Sequence, residues 1–159
     1  MNLDERRKKL AELLWSQHAG ADRIVARQAL EPVSVSFLEY ADTLEVAETV
    51  WQSHYYPSSI GGSSANVSLM CLLDMFRRFS VLARSLERSV CILSPKCGLV
   101  IAVVTCLDFT TIVDRVFYCL GPTVAVCTDD RQHGVASMTD IELWHTDVVA
   151  WGNSECRPE

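Results

Sequence analysis

Helical and strand-like patterns follow one another along this chain, and their order limits the folds open to it. A segment that concentrates Pro, Gly and Ser, residues 54–63, separates a helical part from a more β-rich part. Helices followed by mostly adjacent strands, with one helix between them, fit a mixed or antiparallel sheet better than regular βαβ alternation. We therefore expect a single α+β domain in which an antiparallel or mixed sheet packs against helices.

The predicted domain covers residues 1–151. Its helical part spans residues 1–53 and its long helix plus β-rich part spans residues 64–151, with the loop 54–63 between them. Residues 152–159 are expected to form a flexible tail. With 159 residues, of which 49% are hydrophobic, the chain has enough apolar material for one packed domain.

Four helical segments are predicted in the first 87 residues. Leu3, Leu10, Leu13 and Leu14 share one side of a helical wheel, so residues 3–17 form an amphipathic helix that ends at Gly20. The other segments are a short helix to Leu30, a helix from Asp42 or Thr43 to Ser53, and a long helix from Ser64 to Glu87. A strand at residues 33–38 interrupts this series.

The later segments are mainly strands. Val90–Leu93 and Gly98–Cys106 are joined by a short turn-rich link, which predicts an antiparallel hairpin. The remaining expectations are a helix from Asp108 or Thr110 to Leu120, strands at Thr123–Thr128 and Val135–Met138, and a last strand from Ile141 to His145.

The N-terminal sequence and the cysteines bear on the cellular compartment. The first nine residues are too charged for a secretory signal, so we expect an intracellular, cytoplasmic location, with the nucleus also open. The longest apolar run, residues 98–107, is about half the length that a membrane-spanning helix needs, so no membrane association is expected. Seven cysteines favour reduced thiols in the core, with Cys97 in a turn as the more exposed one.

Motifs for metal binding and catalysis are missing from the sequence. Paired Cys or His residues at zinc spacing are not present, and neither are the phosphate-binding glycine motifs or a nucleophile elbow. Cys106 precedes a predicted helix, but it has no Arg or His companion at a catalytic spacing. We therefore predict no metal site, no cofactor and no catalytic residue.

A candidate anion site lies where the loop meets the long helix. Gly61, Gly62, Ser63 and Ser64 would present backbone N–H groups at the helix N-terminus, which attracts negative charge. Ser63 or Ser64 would also serve as an ordinary helix cap.

Two sets of side chains are candidates for an interaction surface. The aromatic residues Trp51, Tyr55 and Tyr56 flank the loop, and Trp and Tyr supply large rigid contact areas. The basic residues Arg77, Arg84 and Arg88 form one stripe on the exposed side of the long helix. Either set can contact a partner protein, and the basic stripe can also contact phosphates.

The charges alternate in blocks along the chain. Residues 1–30, 31–60, 61–98 and 99–159 carry net charges of +2, −5, +3 and −6, which together give the total of −6. Charge blocks without a catalytic constellation predict a non-catalytic protein–protein interaction module, a subunit of a homo- or hetero-oligomeric complex. Self-compensation within one fold explains the blocks equally simply.

Two alternative functions remain open at this stage. The first is a small enzyme or ligand-binding protein with an anion site at the Gly61–Gly62 loop. The second is a nucleic-acid-associated protein that uses the Arg77, Arg84 and Arg88 face. The acidic C-terminal half weighs against nucleic acid, because phosphate neutralisation needs basic surface.

Overall fold

The computed structural model describes residues 1–57, 61–140 and 145–152. In this part of the chain, the helices are α1 (Leu3–Ala29), α2 (Tyr40–Tyr55), α3 (Leu69–Ser85) and α4 (Cys106–Leu120). The strands are β1 (Ser36–Phe37), β2 (Gly62–Val67), β3 (Val90–Leu93), β4 (Ala102–Val104), β5 (Ala125–Thr128), β6 (Gly134–Asp140) and β7 (His145–Trp151). A short 3-10 helix, Pro95–Cys97, lies between β3 and β4.

The seven strands form one antiparallel sheet with the order β1-β4-β3-β5-β6-β7-β2. The predicted β3–β4 hairpin is present, with Cys91 opposite Val103. β1 and β2 lie at opposite edges, so the segment that contains α2 carries the chain from one edge of the sheet to the other. The predicted single α+β domain with a sheet packed against helices is confirmed.

The two faces of the sheet are covered unequally. The larger apolar cluster joins one face to α1, α3 and α4, and its centre includes the ring pairs Phe79–Phe109 and Phe76–Phe117. The smaller cluster joins the other face to α2 through Val46, with Val50 packed against its edge. One helix of 16 residues covers less of this face, and the candidate sites described below lie along it.

α1 differs from the sequence expectation because it runs through Gly20 as one helix of 27 residues. Gly20 has no positive φ, and a Cβ at this position would meet no atom within 4 Å. Ala19 and Ala26, on either side of it, are buried in the larger cluster. Packing of these two residues therefore outweighs the helix-breaking tendency of a single glycine.

The start of α3 was predicted wrongly. The helix begins at Leu69, and the Ser68 side chain accepts a hydrogen bond from the Cys71 backbone N–H at 3.2 Å. Ser63 and Ser64 instead lie in β2, where they pair with Ala150 and Val149 of β7. Pairing with β7 at the edge of the sheet thus makes a strand of residues whose composition is typical of a loop.

Smaller differences concern the boundaries. α2 extends to Tyr55, and β1 has two residues, so the expected loop 54–63 and the strand 33–38 are both shorter than predicted. Residues 58–60 of the loop, residues 141–144 of the expected last strand and residues 153–159 of the expected tail lie outside the described residues.

Candidate functional site

α2 carries a second apolar stripe beside the side that faces the sheet. Tyr40, Leu44, Ala47, Trp51 and Tyr55 follow each other at spacings of three or four residues, so they line up along one side of the helix. Tyr40 packs against the larger apolar cluster, whereas Leu44 is 51% exposed, Trp51 49% and Tyr55 63%. Val46 faces the sheet and is buried. α2 is therefore apolar on two sides, and the described residues leave most of the second one exposed.

The three aromatic residues singled out from the sequence meet at the end of this stripe. The ring centroids of Trp51 and Tyr55 lie 5.0 Å apart, and those of Trp51 and Tyr56 lie 5.7 Å apart. All three side chains are exposed. They form an aromatic cluster on the surface and do not cover the core.

The first twelve residues of α1 are also uncovered. Residues 3–14 are all exposed, including Leu10, Leu13 and Leu14 of the apolar side. The first buried residue of the helix is Trp15, whose Nε1 donates a hydrogen bond to the Leu99 carbonyl at 2.9 Å. The Trp15 ring also lies against Tyr40 of α2, with centroids 5.5 Å apart. α1 is thus anchored from Trp15 onwards, and its apolar start faces solvent.

A groove of about 430 Å³ lies between α1 and α2. Its walls include Leu14 and Trp15 from α1 and Leu44 and Ala47 from α2, together with Leu99. Leu14, Leu44 and Leu99 are each about half exposed. We call the residues Leu10, Leu13 and Leu14 of α1 together with Leu44, Ala47, Trp51 and Tyr55 of α2 the α1–α2 surface.

Charges of opposite sign flank the two halves of the α1–α2 surface. At 100° per residue, Arg6 lies among the apolar positions of α1 and Arg7 lies at their edge, while α2 carries Asp42, Glu45 and Glu48. Glu45 pairs with Arg131. In the described residues, Asp42 and Glu48 form no ion pair.

The basic stripe on α3 is largely neutralised by the protein itself. Arg77 makes a two-pronged contact with Asp114 of α4, at 2.9 and 2.8 Å. This hydrogen-bonded pairing lowers the pKa of Asp114. Arg84 is exposed on α3, whereas Arg88 lies beyond the end of the helix at Ser85, 3.6 Å from Asp129 and 3.5 Å from Asp130. Only Arg77 and Arg84 of the predicted stripe therefore lie on the helix, and the guanidinium groups of Arg77 and Arg88 already face carboxylates.

The helix N-terminus that the predicted anion site requires does not lie at Gly61, Gly62, Ser63 and Ser64. Gly61 has a φ of 67°, and Gly62, Ser63 and Ser64 form the edge strand β2, so no helix N-terminus lies at these residues. The N–H groups of the first turn of α3 lie beyond Ser68. Ser64 does line a cavity, but the cavity also contains a carboxylate, Asp147.

Two adjoining cavities lie beside the C-terminal end of α2, and we call them together the α2 cleft. The first, of about 280 Å³, is mainly apolar, and its walls include Val50, Leu93, Val124 and Ala125. The second, of about 370 Å³, is more polar, and its walls are His54, Tyr55, Ser64, Ala65, Met138, Asp147 and Val149. His54 and Met138 belong to both cavities.

Polar contacts organise the outer part of the α2 cleft. Asn66 of β2 and Asp147 of β7 are directly paired in the sheet, and Asn66 Nδ2 donates a hydrogen bond to Asp147 Oδ1 at 3.0 Å. Burial lowers the pKa of His54, against the opposite effect of the Asp147 charge. A histidine whose pKa lies below its ordinary value is neutral at pH 7. The cleft thus combines a neutral imidazole with a charged carboxylate.

Sequence reasoning missed Asp147, Asn66 and Met138 as members of a site. They lie on three different strands, and only the order β6-β7-β2 brings them together. The apolar stripe of α2, in contrast, can be recognised from the helical spacing of its residues in the sequence once the helix is extended to Tyr55.

Within the described residues, a metal-binding group of side chains and a membrane-spanning helix are both absent. The described residues contain no group of three or more His, Cys, Asp or Glu side chains placed to hold a metal ion. In the same part of the chain, no helix combines the length and the apolar character needed to cross a membrane.

Comparison with known proteins gives no match. No family model matches the chain, and no curated protein or solved structure matches it either. A function for this chain therefore has to come from the geometry of its own surfaces and cavities.

Proposed function

We propose that this chain is a non-catalytic protein–protein interaction module, a subunit of an oligomer that binds its partner through the α1–α2 surface. The observation that carries the proposal is the groove between α1 and α2, which is lined by the half-exposed Leu14 and Leu44, together with further exposed apolar side chains on both helices. Scattered apolar side chains are normal on a protein surface, whereas an apolar groove with exposed apolar side chains beside it is typical of an interaction site. Exposed Trp and Tyr residues at its end are the residue types that most often carry binding energy.

The uncovered start of α1 supports the same conclusion. A helical segment of twelve residues is marginal in water by itself, because isolated helices need about 12–15 residues even with favourable sequences. Asn2 and Glu5 form a capping box that stabilises its first turn. Burial of Leu10, Leu13 and Leu14 against a partner would add the larger stabilisation, since each fully buried Leu contributes about 1.5–3 kcal/mol.

The charges favour a second copy of the chain as the partner. Arg6 and Arg7 lie in the exposed first part of α1, and the exposed side chains of α2 include Asp42 and Glu48, which form no ion pair in the described residues. In a two-fold symmetric dimer, α1 of each copy lies on α2 of the other, so both contacts form at once. Opposite charges at the rim then set the orientation of the two copies.

A charge-reversal experiment tests this arrangement. Sedimentation velocity should show a dimer for the wild type, and weaker self-association for Arg6→Glu with Arg7→Glu and, separately, for Asp42→Lys with Glu48→Lys. An equimolar mixture of the two double variants should associate again, because each now carries the complement of the other. A mixture that stays as monomeric as its components would contradict the proposed orientation.

A control for general charge effects is available on α3. Arg84 is exposed but lies on the opposite face of the sheet from α2. Arg84→Glu should leave the self-association unchanged.

A further inference from the structure

We propose that the α2 cleft binds a small amine, a ligand with an apolar body for the inner cavity and an ammonium group for Asp147. This inference goes beyond the proposed interaction function because it concerns a small molecule in a cleft that adjoins the α1–α2 surface at Tyr55. The proposal rests on three observations. They are the shape of the two adjoining cavities, the hydrogen bonds that already occupy the serine hydroxyls of the inner cavity, and the negative charge of Asp147 at the outer end.

The inner cavity suits an apolar body. Its volume of about 280 Å³ lies close to the lower end of the range for small-molecule pockets. Most of its lining side chains are apolar, including Val50, Leu93 and Val124. Such a space gains little from polar ligands and favours aliphatic or aromatic groups.

The hydroxyl groups of the inner cavity are already engaged by the protein. Ser94 Oγ donates to the Leu120 carbonyl at 3.1 Å, and it accepts from the Lys96 backbone N–H at 3.2 Å. Ser137 Oγ contacts the carbonyls of Pro122 and Val124, and it accepts from the Val124 backbone N–H at 3.2 Å. Neither serine therefore serves as a nucleophile or selects a polar ligand group.

The outer end of the cleft carries negative charge. Asp147 is exposed and is held in position by the hydrogen bond from Asn66 to Oδ1. In the described residues, no cationic side chain forms an ion pair with Asp147. A carboxylate in this position attracts an ammonium group and repels an anion.

His54 and Met138 connect the two cavities, since both residues line each of them. Burial of His54 keeps its imidazole neutral at pH 7, as described above, so it adds no positive charge beside Asp147. A ligand that passes between them would place its apolar body among Leu93, Val124 and Ala125 and its ammonium group at Asp147. The same reasoning disfavours the anion expected from the sequence at Ser64, because Asp147 shares the cavity with Ser64.

Matched ligands test the proposal by isothermal titration calorimetry. The probe is 2-phenylethylamine, and its comparisons are 2-phenylethanol, which lacks the charge, 3-phenylpropanoate, which reverses it, and methylamine, which lacks the apolar body. The amine should bind at least about tenfold more tightly than the alcohol, because a charge-assisted hydrogen bond replaces a neutral one. The carboxylate and methylamine should show no binding in the same concentration range.

Two variants locate the binding site. Asp147→Asn should weaken binding of 2-phenylethylamine about tenfold and bring it close to that of the alcohol. Val50→Trp should abolish binding of both, because the larger side chain fills the inner cavity. Asp129→Asn, in the turn between β5 and β6, is the control that leaves binding unchanged. Circular dichroism and the thermal midpoint confirm that each variant is folded before titration.

Several results would overturn the proposal. They are the absence of amine binding at 10 mM, equal binding of the amine and the alcohol, or unchanged amine binding in Asp147→Asn. If Val50→Trp does not fold, the binding site is located from the changes in the amide chemical shifts of the wild type when 2-phenylethylamine is added. Changes confined to His54, Met138 and Asp147 support the site, and changes elsewhere contradict it.

Discussion

Trp51 and Tyr55 lie one helical turn apart on α2, with their ring centroids 5.0 Å apart, and both rings are about half exposed or more. The neighbouring residues Leu44 and Ala47 continue the same side of the helix towards the groove beneath Leu14. An aromatic pair that covered the core would be buried on one face. Here the pair forms one end of the α1–α2 surface.

Replacement of Trp51 should therefore cost little folding stability. For Trp51→Ala we expect a change of no more than about 1 kcal/mol in the free energy of unfolding, since a half-exposed side chain whose two ring contacts are with exposed tyrosines contributes little to the core. Trp15→Ala should cost about 3–5 kcal/mol, because Trp15 is buried and its Nε1 is hydrogen-bonded to Leu99. Urea denaturation at a concentration where the protein is monomeric measures both. Equal losses would mean that Trp51 is a core residue.

The contact between Gly134 and Trp151 tests the pairing of β6 with β7 in the sheet. They are directly opposite each other in β6 and β7, and a Cβ at Gly134 would overlap the indole ring of Trp151. Trp151 is buried, and its Nε1 donates a hydrogen bond to the Arg131 carbonyl at 3.0 Å. Gly134→Ala should therefore lower the free energy of unfolding by about 1–3 kcal/mol, the range for overpacking.

The matched control for this substitution is Gly20→Ala. Gly20 lies within α1, and a Cβ there would meet no atom within 4 Å. Alanine in a helix interior should raise the free energy of unfolding by about 0.5–1 kcal/mol. If Gly20→Ala is destabilising instead, α1 does not run through this residue in solution.

His54 should make folding stability depend on pH. Its pKa in the folded protein lies below the ordinary value of 6.5, chiefly because of burial. As the pH falls through about 6.5, the unfolded chain binds a proton that the folded protein does not yet bind, so the free energy of unfolding decreases. The decrease stops once the pH is below the folded pKa.

Denaturation of the wild type and His54→Gln between pH 8 and pH 5 measures this effect. The difference in stability between the two proteins should change over this range in the stated direction. Asp147→Asn should lower the pKa of His54 further, as observed by NMR titration of the imidazole, because the Asp147 charge raises it in the wild type. A rise of the His54 pKa in this variant would contradict the arrangement of the cleft.

The cysteines should react with thiol reagents at very different rates. Cys119 is exposed, whereas Cys97 and Cys127 are buried. Burial raises the pKa of Cys97, and the pKa of Cys127 is raised well above its ordinary range by the hydrogen bond with Cys91 and by burial. Iodoacetamide followed by mass spectrometry should therefore modify Cys119 before Cys97 and Cys127 in the native protein. Rapid modification of Cys97 would mean that this thiol is exposed in a turn, as the sequence predicts, and would contradict the structure.

The sequence was most informative where local pattern and tertiary packing agree. The core side of α3, with Leu72, Phe76 and Phe79, is buried as its helical spacing predicts. The hairpin of β3 and β4 follows from two short apolar runs and a turn-rich link. Trp51, Tyr55 and Tyr56 were identified because their residue types stand out near a loop, and they do lie together at the surface.

Sequence reasoning failed where long-range pairing decides the conformation. Gly62, Ser63 and Ser64 have the composition of a loop, and only hydrogen bonding to β7 makes them a strand. Cys97 lies in a sequence typical of an exposed turn, yet it is buried beside α1. The α2 cleft depends on strands that are far apart in the chain, so no local spacing could indicate it.

Light scattering coupled to size-exclusion chromatography measures whether two copies of this chain associate through the α1–α2 surface, as we propose. The wild type should have twice the mass of the 17.8 kDa chain at micromolar concentration, whereas Leu10→Ser with Trp51→Ser and Tyr55→Ser should have the mass of one chain. Met70→Ser with Val81→Ser removes equally exposed apolar side chains from α3 and should remain a dimer. A wild type that is monomeric up to about 100 μM, or a triple variant that stays dimeric, would contradict the account.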